Sequence, residues 1–209
     1  MLWDISLKSP ILIGIGASHS GSGKTFLASR ILKYFSLNPA PNPLIPVLKW
    51  GAIKYTKTAS PSELITDKRI LMEKGKDTWQ MLTSGASEVV WVRSDRQGLA
   101  TVLPDAMKRL SHLDVIIVEG NSAIEFLNPD IVIFILGKGK KDWKPDMLKI
   151  AVRADIVLYD AEVQLPADVK PKMLFPRHLS ENSLMGFFEA LIRMVHERRA
   201  EARDAEEGA

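Results

Sequence analysis

A short glycine-rich segment near the amino terminus has residue types and spacing that suit a polyanion. It follows an apolar run and precedes apolar residues at helical spacing. Gly21 and Gly23 can adopt positive φ, which lets main-chain N–H groups approach phosphate closely. Lys24 would reach the β and γ phosphates of a nucleoside triphosphate, and the Thr25 hydroxyl would bind Mg²⁺. The segment predicts a phosphate-binding loop for GTP or ATP. Its members are Ser20, Gly21, Ser22, Gly23, Lys24 and Thr25.

The alternative to this interpretation is an ordinary glycine turn before a helix, with Lys24 in solvent. One position departs from the usual loop pattern, which begins with a glycine five residues before Gly23. This chain has Ser18 there. The entry into the loop can therefore differ from that of other phosphate-binding loops.

Glu119 is the predicted acidic partner of this loop. A bound triphosphate needs a carboxylate near Mg²⁺, normally at the carboxyl end of a buried strand beside the loop strand. Glu119 ends the apolar run 114–119, and the turn residues Gly120 and Asn121 follow it. We predict that Glu119 binds the metal or orients water; the alternative is an acid that ends a strand in solvent. Asp114, five residues earlier, lies roughly 16 Å away and cannot share the site.

The elements that must position these residues alternate between strands and helices. Apolar runs predict strands, and helical spacing of apolar residues predicts helices. This order indicates an α/β fold, a three-layer P-loop NTPase domain with a mainly parallel β-sheet flanked by helices. Residues 1–199 are expected to form one domain, and residues 200–209 a charged tail that frays. Strands are predicted at 11–17, 47–54, 88–92, 114–119, 130–136 and 155–160, and helices at 26–35, 76–84 and 181–199, with a proline-rich connector at 38–43.

Composition limits the classes of function. The chain has 209 residues, of which 46% are hydrophobic, and this suffices for one sizeable core. It has no cysteine, which excludes disulfides and thiolate metal sites and fits the cytoplasm. The four histidines do not pair at helical spacing. The net charge of +3 requires neither nucleic acid nor an anionic membrane as partner. We expect no signal peptide and no membrane anchor.

Two further segments allow either a purely structural interpretation or a functional one. The basic run 137–144 contains Trp143 and could bind an anionic substrate or nucleic acid. The simpler interpretation is a solvated loop. The apolar stripe of the last helix is most simply core, with a dimer surface as the alternative. The stripe consists of Leu184, Phe187, Phe188, Leu191, Ile192 and Val195.

Five short segments follow one another along the chain as an ordered set of motifs: residues 20–25, 53–56, 75–79, 85–86 and 113–120. In this order they resemble the motifs of the molybdopterin-guanine dinucleotide biosynthesis protein B family. This resemblance implies a GTP-binding accessory protein with slow hydrolysis, often dimeric, that assists the enzyme attaching a nucleotide to molybdopterin. It also implies that Asp77 holds Mg²⁺ through water and that Lys54 meets phosphate or a second anionic substrate. The alternatives are an aspartate favoured at a helix start and a solvated lysine.

The chain departs from this family at two places. Histidines usually follow the Ile-Lys pair, whereas this chain has Tyr55, Thr56 and Lys57. An aromatic residue and a lysine usually follow the Glu-Gly pair, whereas this chain has Asn121 and Ser122. Any metal or cofactor role of those histidines is therefore lost in this chain.

A looser resemblance reaches the dimer-forming P-loop NTPases that include metallochaperone GTPases and dethiobiotin synthetase. Some members carry a signature lysine where this chain has His19. GTP-selective members often end a late strand with Asn-Lys-x-Asp, whose aspartate reads guanine. That motif is absent, so Asp160 is only a candidate for base recognition, and a turn-forming role is its alternative.

Three functions follow as hypotheses. The first is a nucleotide-switched accessory protein of molybdenum cofactor synthesis, in which Lys24, Glu119 and Asp77 support slow hydrolysis. The second is a small-molecule kinase or ATP-dependent ligase on the same fold, with Lys54 holding a second anionic substrate. The third is a nucleotide-binding module without turnover.

Overall fold

A computed structural model describes residues 9–37, 47–137, 143, 145–160, 165–178 and 180–207. Strands and helices alternate along most of this length. The strands are β1 (Ile11–Ala17), β2 (Trp50–Lys57), β3 (Glu63–Ile65), β4 (Glu88–Ser94), β5 (Val115–Glu119), β6 (Ile131–Ile135), β7 (Ile156–Tyr159) and β8 (Met173–Pro176). The helices are α1 (Lys24–Leu37), α2 (Lys68–Leu71), α3 (Asp77–Thr83), α4 (Leu99–Leu110), α5 (Asn121–Leu127), α6 (Pro145–Ala151) and α7 (Glu181–Glu207).

The strands form one sheet of eight, in the order β3-β4-β2-β5-β1-β6-β7-β8. Strand β3 runs antiparallel to β4, and the other neighbours pair in parallel. Strand β1 lies inside the sheet between β5 and β6, which explains why its sequence is apolar throughout. The predicted mainly parallel α/β sheet is confirmed.

Helices cover both faces of this sheet, so the domain has three layers. Alternate residues of each inner strand point to opposite faces. Ile117 of β5 packs in the cluster that contains the buried residues of α1 and α7, and Ile116 packs in the cluster with those of α4, α5 and α6. The predicted three-layer arrangement is confirmed. The C-terminal stripe packs on the first of these clusters, as the core interpretation expects.

Aspartates at the amino ends of three strands satisfy main-chain donors of the neighbouring chain. Asp114 accepts from the Lys49 amide at 2.8 Å, Asp130 from the Leu12 amide at 2.7 Å, and Asp155 from the Val132 amide at 2.9 Å. Each carboxylate thus supplies an acceptor for a main-chain amide at this end of the sheet. Asp114 therefore has a structural partner at the end of β5 opposite Glu119.

The structure differs most from the sequence-based boundaries in two elements. Strand β2 runs three residues further along the chain than predicted, because its pairing with β4 continues to Lys57. Helix α7 continues to Glu207, through most of the expected frayed tail. That stretch is rich in helix-favouring Ala, Glu and Arg, and Arg198 and Glu201 form an ion pair of 2.8 Å on it.

Some predicted segments lie outside the described residues. They are the amino-terminal residues 1–8, the proline-rich connector 38–43 and most of the basic run 137–144. Trp143 of that run is described, and it stacks on Phe134 with ring centroids 6.1 Å apart. Its ring therefore packs against the core. Within the described ranges, no helix combines the length and apolarity that crossing a membrane requires.

Candidate functional site

The sheet register brings the predicted site residues to one edge. Lys54 of β2 is the pairing partner of Glu119 of β5, and Glu119 in turn is the partner of Ile15 of β1. Because these strands are parallel, their carboxyl ends meet at the same edge, where the loop 18–23 leaves β1 and enters α1. Residues that are far apart in the chain thus converge on the loop.

The loop has the geometry of an anion cradle. Gly21 and Gly23 have φ of 76° and 91°, which residues with a Cβ rarely adopt. The main-chain amides of residues 20–25 have no main-chain acceptor within the part of the chain that is described. Ser22 is buried, and its hydroxyl donates to the His19 carbonyl at 2.8 Å. The buried Ser22 side chain therefore stabilises the loop, and the main-chain amides remain available to bind an anion.

Ser18 ties the start of the loop to the neighbouring strand. Its hydroxyl accepts from the Gly137 amide at 2.9 Å, just beyond β6, and lies 2.9 Å from His19 Nδ1. A Cβ on Gly137 would lie 2.0 Å from His19 Cε1, so a larger residue there would require the His19 ring to move. Ser18 therefore anchors the loop at the position where the usual pattern has glycine.

Four predicted residues form a charged cluster in front of the loop. The Thr25 hydroxyl lies 3.0 and 2.9 Å from the two carboxylate oxygens of Glu119. The Lys54 ammonium lies 2.6 Å from Glu119 Oε1, 2.5 Å from Asp77 Oδ2 and 3.5 Å from Thr25 Oγ1. Glu119 is 1% exposed. The structure thus brings together the residues for which sequence reasoning proposed metal and phosphate roles.

The donor set of this cluster fits Mg²⁺. Mg²⁺ prefers oxygen ligands and is held by one or two carboxylates together with substrate phosphates and water. Thr25 Oγ1 and the Glu119 carboxylate are adjacent oxygens, and Asp77 is linked to them through Lys54. Among the described residues, no group of three or more histidine, cysteine or acidic side chains could hold a metal alone. The remaining ligands would therefore come from phosphate and water.

The two lysines of the site have opposite pKa shifts. Burial lowers the pKa of Lys24, Glu119 and Asp77 oppose this effect, and the positive charge of Lys54 adds to it. Burial also acts to lower the pKa of Lys54, but the charges and hydrogen bonds of Glu119 and Asp77 outweigh burial and raise it. Lys54 therefore has its counter-ions within the protein, whereas Lys24 lacks a sufficient counter-ion.

Lys24→Met is expected to raise the free energy of unfolding at pH 7 by about 1 kcal/mol or less. The lowered pKa means that charged Lys24 costs stability, fully so at any pH below its folded-state pKa. The cost is relieved as pH rises towards the unfolded value of 10.5, so the gain should shrink over that window. Urea unfolding at pH 7 and pH 10 measures this. Lys33→Met, at an exposed position of α1, is the control. A wild-type protein at least as stable as Lys24→Met at pH 7 would contradict it.

The cluster and the loop line a cleft of about 600 Å³. Ser20, Gly21, Gly23, Lys24 and Thr25 form one side of it, and Lys54, Asp77 and Glu119 contribute to the other. A smaller cleft of about 280 Å³ adjoins it and shares Lys54, Thr56 and Asp77 with it. The larger cleft has the volume of a small-molecule site.

Two residues at the site were missed by sequence reasoning. The Asn121 side chain accepts from the Ala17 amide at 3.0 Å and donates to the Ala17 carbonyl at 2.9 Å, and so fixes the end of β1. Tyr55 packs on Gly120, where φ is 127° and a Cβ would lie 2.9 Å from the ring. Tyr55 had been noted only as a departure from the family pattern, and Asn121 as such a departure and as a turn residue, whereas it begins α5. Their position next to Lys54 and Glu119 was the available signal.

Asp160 lies away from the charged cluster and is not among the residues that line the larger cleft. It faces Arg177 at 3.7 Å, and Arg177 donates to the Ser22 carbonyl at 3.3 Å. One carboxylate oxygen of Asp160 is buried and has no hydrogen-bond partner within the described residues. Arg177, which sequence reasoning did not identify, thus links Asp160 to the back of the phosphate loop.

The comparison with protein-family models agrees with the motifs. The family model of molybdopterin guanine dinucleotide synthesis protein B matches residues 12–155, more than half of the 209-residue chain. No curated protein sequence matches. Among solved structures, the chain is similar to the signal recognition particle 54 kDa protein from Aeropyrum pernix K1 in complex with GDP, with 13% identity and a TM-score of 0.40. The match covers 90% of this chain and 50% of that one, so the chain spans half the length of that protein. The chain has a phosphate-binding loop of the P-loop type and belongs to the molybdopterin guanine dinucleotide synthesis protein B family.

Proposed function

We propose that the chain binds Mg²⁺ with GTP or ATP in the larger cleft and hydrolyses the nucleotide slowly, as an accessory protein in molybdopterin guanine dinucleotide synthesis. One observation carries this proposal. A loop whose main-chain amides have no acceptor among the described residues lies beside the cluster of Thr25, Lys54 and Glu119. Such a loop complements phosphate, and the cluster supplies oxygen ligands for the metal that accompanies phosphate.

Each residue has a separate task in this proposal. The amides of residues 20–25 hold the β phosphate, and Lys24 neutralises the β and γ phosphates. Thr25 and Glu119 hold Mg²⁺, with Asp77 contributing through water. When bound, the metal neutralises charge that develops on the phosphates during hydrolysis. The buried Glu119 also orients the attacking water.

Slow hydrolysis follows from the residues that surround the cleft. Fast phosphoryl transfer uses a glutamine that orients water or an arginine that stabilises the transition state. Within the described part of the chain, neither residue type lines the larger cleft. We therefore expect tight binding with low turnover, as suits a protein that presents a nucleotide to an enzyme.

The biological setting of the proposal rests on the family. The family is named for molybdopterin guanine dinucleotide synthesis, and this supports an enzyme of that synthesis as partner. A homodimer and a preference for GTP over ATP come from the resemblance of the motifs. A cytoplasmic location belongs to the same proposal, and a chain without cysteine is compatible with a reducing compartment.

The adjoining cleft of about 280 Å³ favours a second candidate function, a small-molecule kinase or ATP-dependent ligase. Lys54 lines both clefts and could contact the nucleotide and an anionic second substrate in turn. This function predicts that a substrate accelerates ADP release. A panel of phosphorylated and carboxylated metabolites that leaves the basal rate of hydrolysis unchanged would count against it.

Nucleotide binding and turnover can be tested together. We expect Mg–GTP and Mg–ATP to bind the purified protein with micromolar or tighter dissociation constants, and EDTA to weaken both. Isothermal titration with each nucleotide measures this, and the nucleotide that copurifies with the protein indicates the preferred base. Single-turnover hydrolysis separates slow catalysis from a binding module without turnover. The absence of binding by either nucleotide would overturn the proposal.

A further inference from the structure

The Lys54 ammonium lies among oxygen atoms that the proposed function assigns to the metal. Its distances are 2.6 Å to Glu119 Oε1, 2.5 Å to Asp77 Oδ2 and 3.5 Å to Thr25 Oγ1. These three residues come from β5, from the start of α3 and from the start of α1. No other lysine or arginine among the described residues forms an ion pair with Glu119 or Asp77.

In the nucleotide-free protein, Lys54 neutralises the buried negative charge of Glu119. Glu119 is 1% exposed, and an unpaired carboxylate at that burial carries a large desolvation cost. The Lys54 side chain is 13% exposed and supplies the opposite charge at contact distance. The pair is therefore favourable as long as no other cation reaches Glu119.

Mg²⁺ and the ammonium would compete for the same carboxylate. A metal bound to Thr25 Oγ1 and Glu119 would lie about 2.1 Å from each ligand oxygen. Thr25 Oγ1 lies 3.0 Å from Glu119 Oε1, and Lys54 Nζ lies 2.6 Å from that same oxygen. Two cations on this oxygen would be less than about 5 Å apart and would repel each other strongly. Metal binding at Oε1 therefore favours movement of the ammonium away from Glu119.

We propose that the Lys54 ammonium occupies the cation position between Thr25, Asp77 and Glu119 in the nucleotide-free protein, and that Mg²⁺ displaces it when Mg-nucleotide binds. The displaced Lys54 side chain has space in the adjoining cleft of about 280 Å³, which it also lines. The exchange keeps free Mg²⁺ out of the empty site, since the metal must arrive with phosphate oxygens that complete its coordination. This inference rests on the proposed function only in its choice of metal ligands.

Metal binding without nucleotide tests the proposal. Mn²⁺, a paramagnetic substitute for Mg²⁺, is titrated into the nucleotide-free protein and followed by electron paramagnetic resonance. We expect Lys54→Met to bind Mn²⁺ at least ~10-fold more tightly than wild type, because a positive charge at contact distance is removed. The control is Lys76→Met, which removes a lysine next to Asp77 that pairs with Glu73 at 2.6 Å. That variant should match wild type. Equal Mn²⁺ affinities of Lys54→Met and wild type would overturn the inference.

Two further variants keep the test decisive. Lys54→Gln loses the charge but keeps an N–H donor for Glu119, so it serves if Lys54→Met does not fold, and it should also bind Mn²⁺ more tightly. Lys54→Arg keeps the charge and should retain the weak affinity of wild type. Nucleotide titrations of wild type are run alongside. If wild type binds nucleotide but the uncharged variants have the Mn²⁺ affinity of wild type, this inference alone is refuted. If wild type binds neither GTP nor ATP, the proposed function is refuted.

Discussion

Lys24→Met is expected to weaken the binding of Mg–GTP and Mg–ATP by about 100-fold. The variant keeps most of the length of the side chain and removes the charge that would contact the β and γ phosphates. A hydrogen bond to a charged group contributes about 1.5–3 kcal/mol, and the upper part of this range corresponds to a loss of that size. Fluorescence titration with labelled nucleotides at pH 7.5 measures the change.

The matched control for this variant lies on the same helix. Lys33 is exposed on α1, so Lys33→Met removes one charge without touching the loop, and its affinity should stay within about twofold of wild type. Lys24→Met should meanwhile be no less stable than wild type, so weaker binding cannot come from unfolding. Equal nucleotide affinity of Lys24→Met and wild type would exclude the assigned loop.

Glu119→Gln is expected to slow single-turnover hydrolysis by roughly 100-fold, the size seen when one electrostatic group of a reaction site is removed. The amide is nearly isosteric and can still accept from Thr25, but it binds Mg²⁺ poorly. We therefore also expect the stimulation of nucleotide binding by Mg²⁺ to become small. Hydrolysis of bound nucleotide and titrations with Mg²⁺ or EDTA measure the two effects.

Glu125→Gln is the control for replacing a carboxylate by an amide. Glu125 lies on α5 and pairs with Arg96 at 2.6 Å, outside the residues that line the larger cleft. This variant should keep the wild-type hydrolysis rate and the wild-type response to Mg²⁺. If Glu119→Gln kept them too, Glu119 would be an acid that merely ends its strand.

The parts of the site that sequence predicted were those with a strong local pattern. The loop lies between an apolar run and a helical pattern, and both flanks form as predicted in β1 and α1. Glu119 ends a run of four buried residues, which marks the carboxyl end of an interior strand. Lys54 and Asp77 carry no such local signal. They were found through the order of the family motifs, and the sheet register explains why they meet.

What sequence did not predict depends on contacts between distant segments. The hydrogen bonds between Asn121 and Ala17 join residues 104 positions apart. The hydrogen bond from Arg177 to Ser22 joins residues 155 positions apart. Strands β3 and β8 have three and four residues, too few for a clear periodic pattern. The length of α7 was underestimated because a charged sequence was interpreted as solvated tail, although its residues favour helix.

We expect the main-chain amides of residues 20–25, with Lys24, to enclose a polyphosphate beside Glu119. A crystal structure with Mg²⁺ and a nonhydrolysable GTP analogue tests this most directly. We predict the β phosphate within hydrogen-bonding distance of those amides, and Mg²⁺ on the Thr25 hydroxyl with Lys54 moved away from Glu119. A nucleotide bound elsewhere, with the loop empty and the Lys54–Glu119 pair intact, would contradict the account.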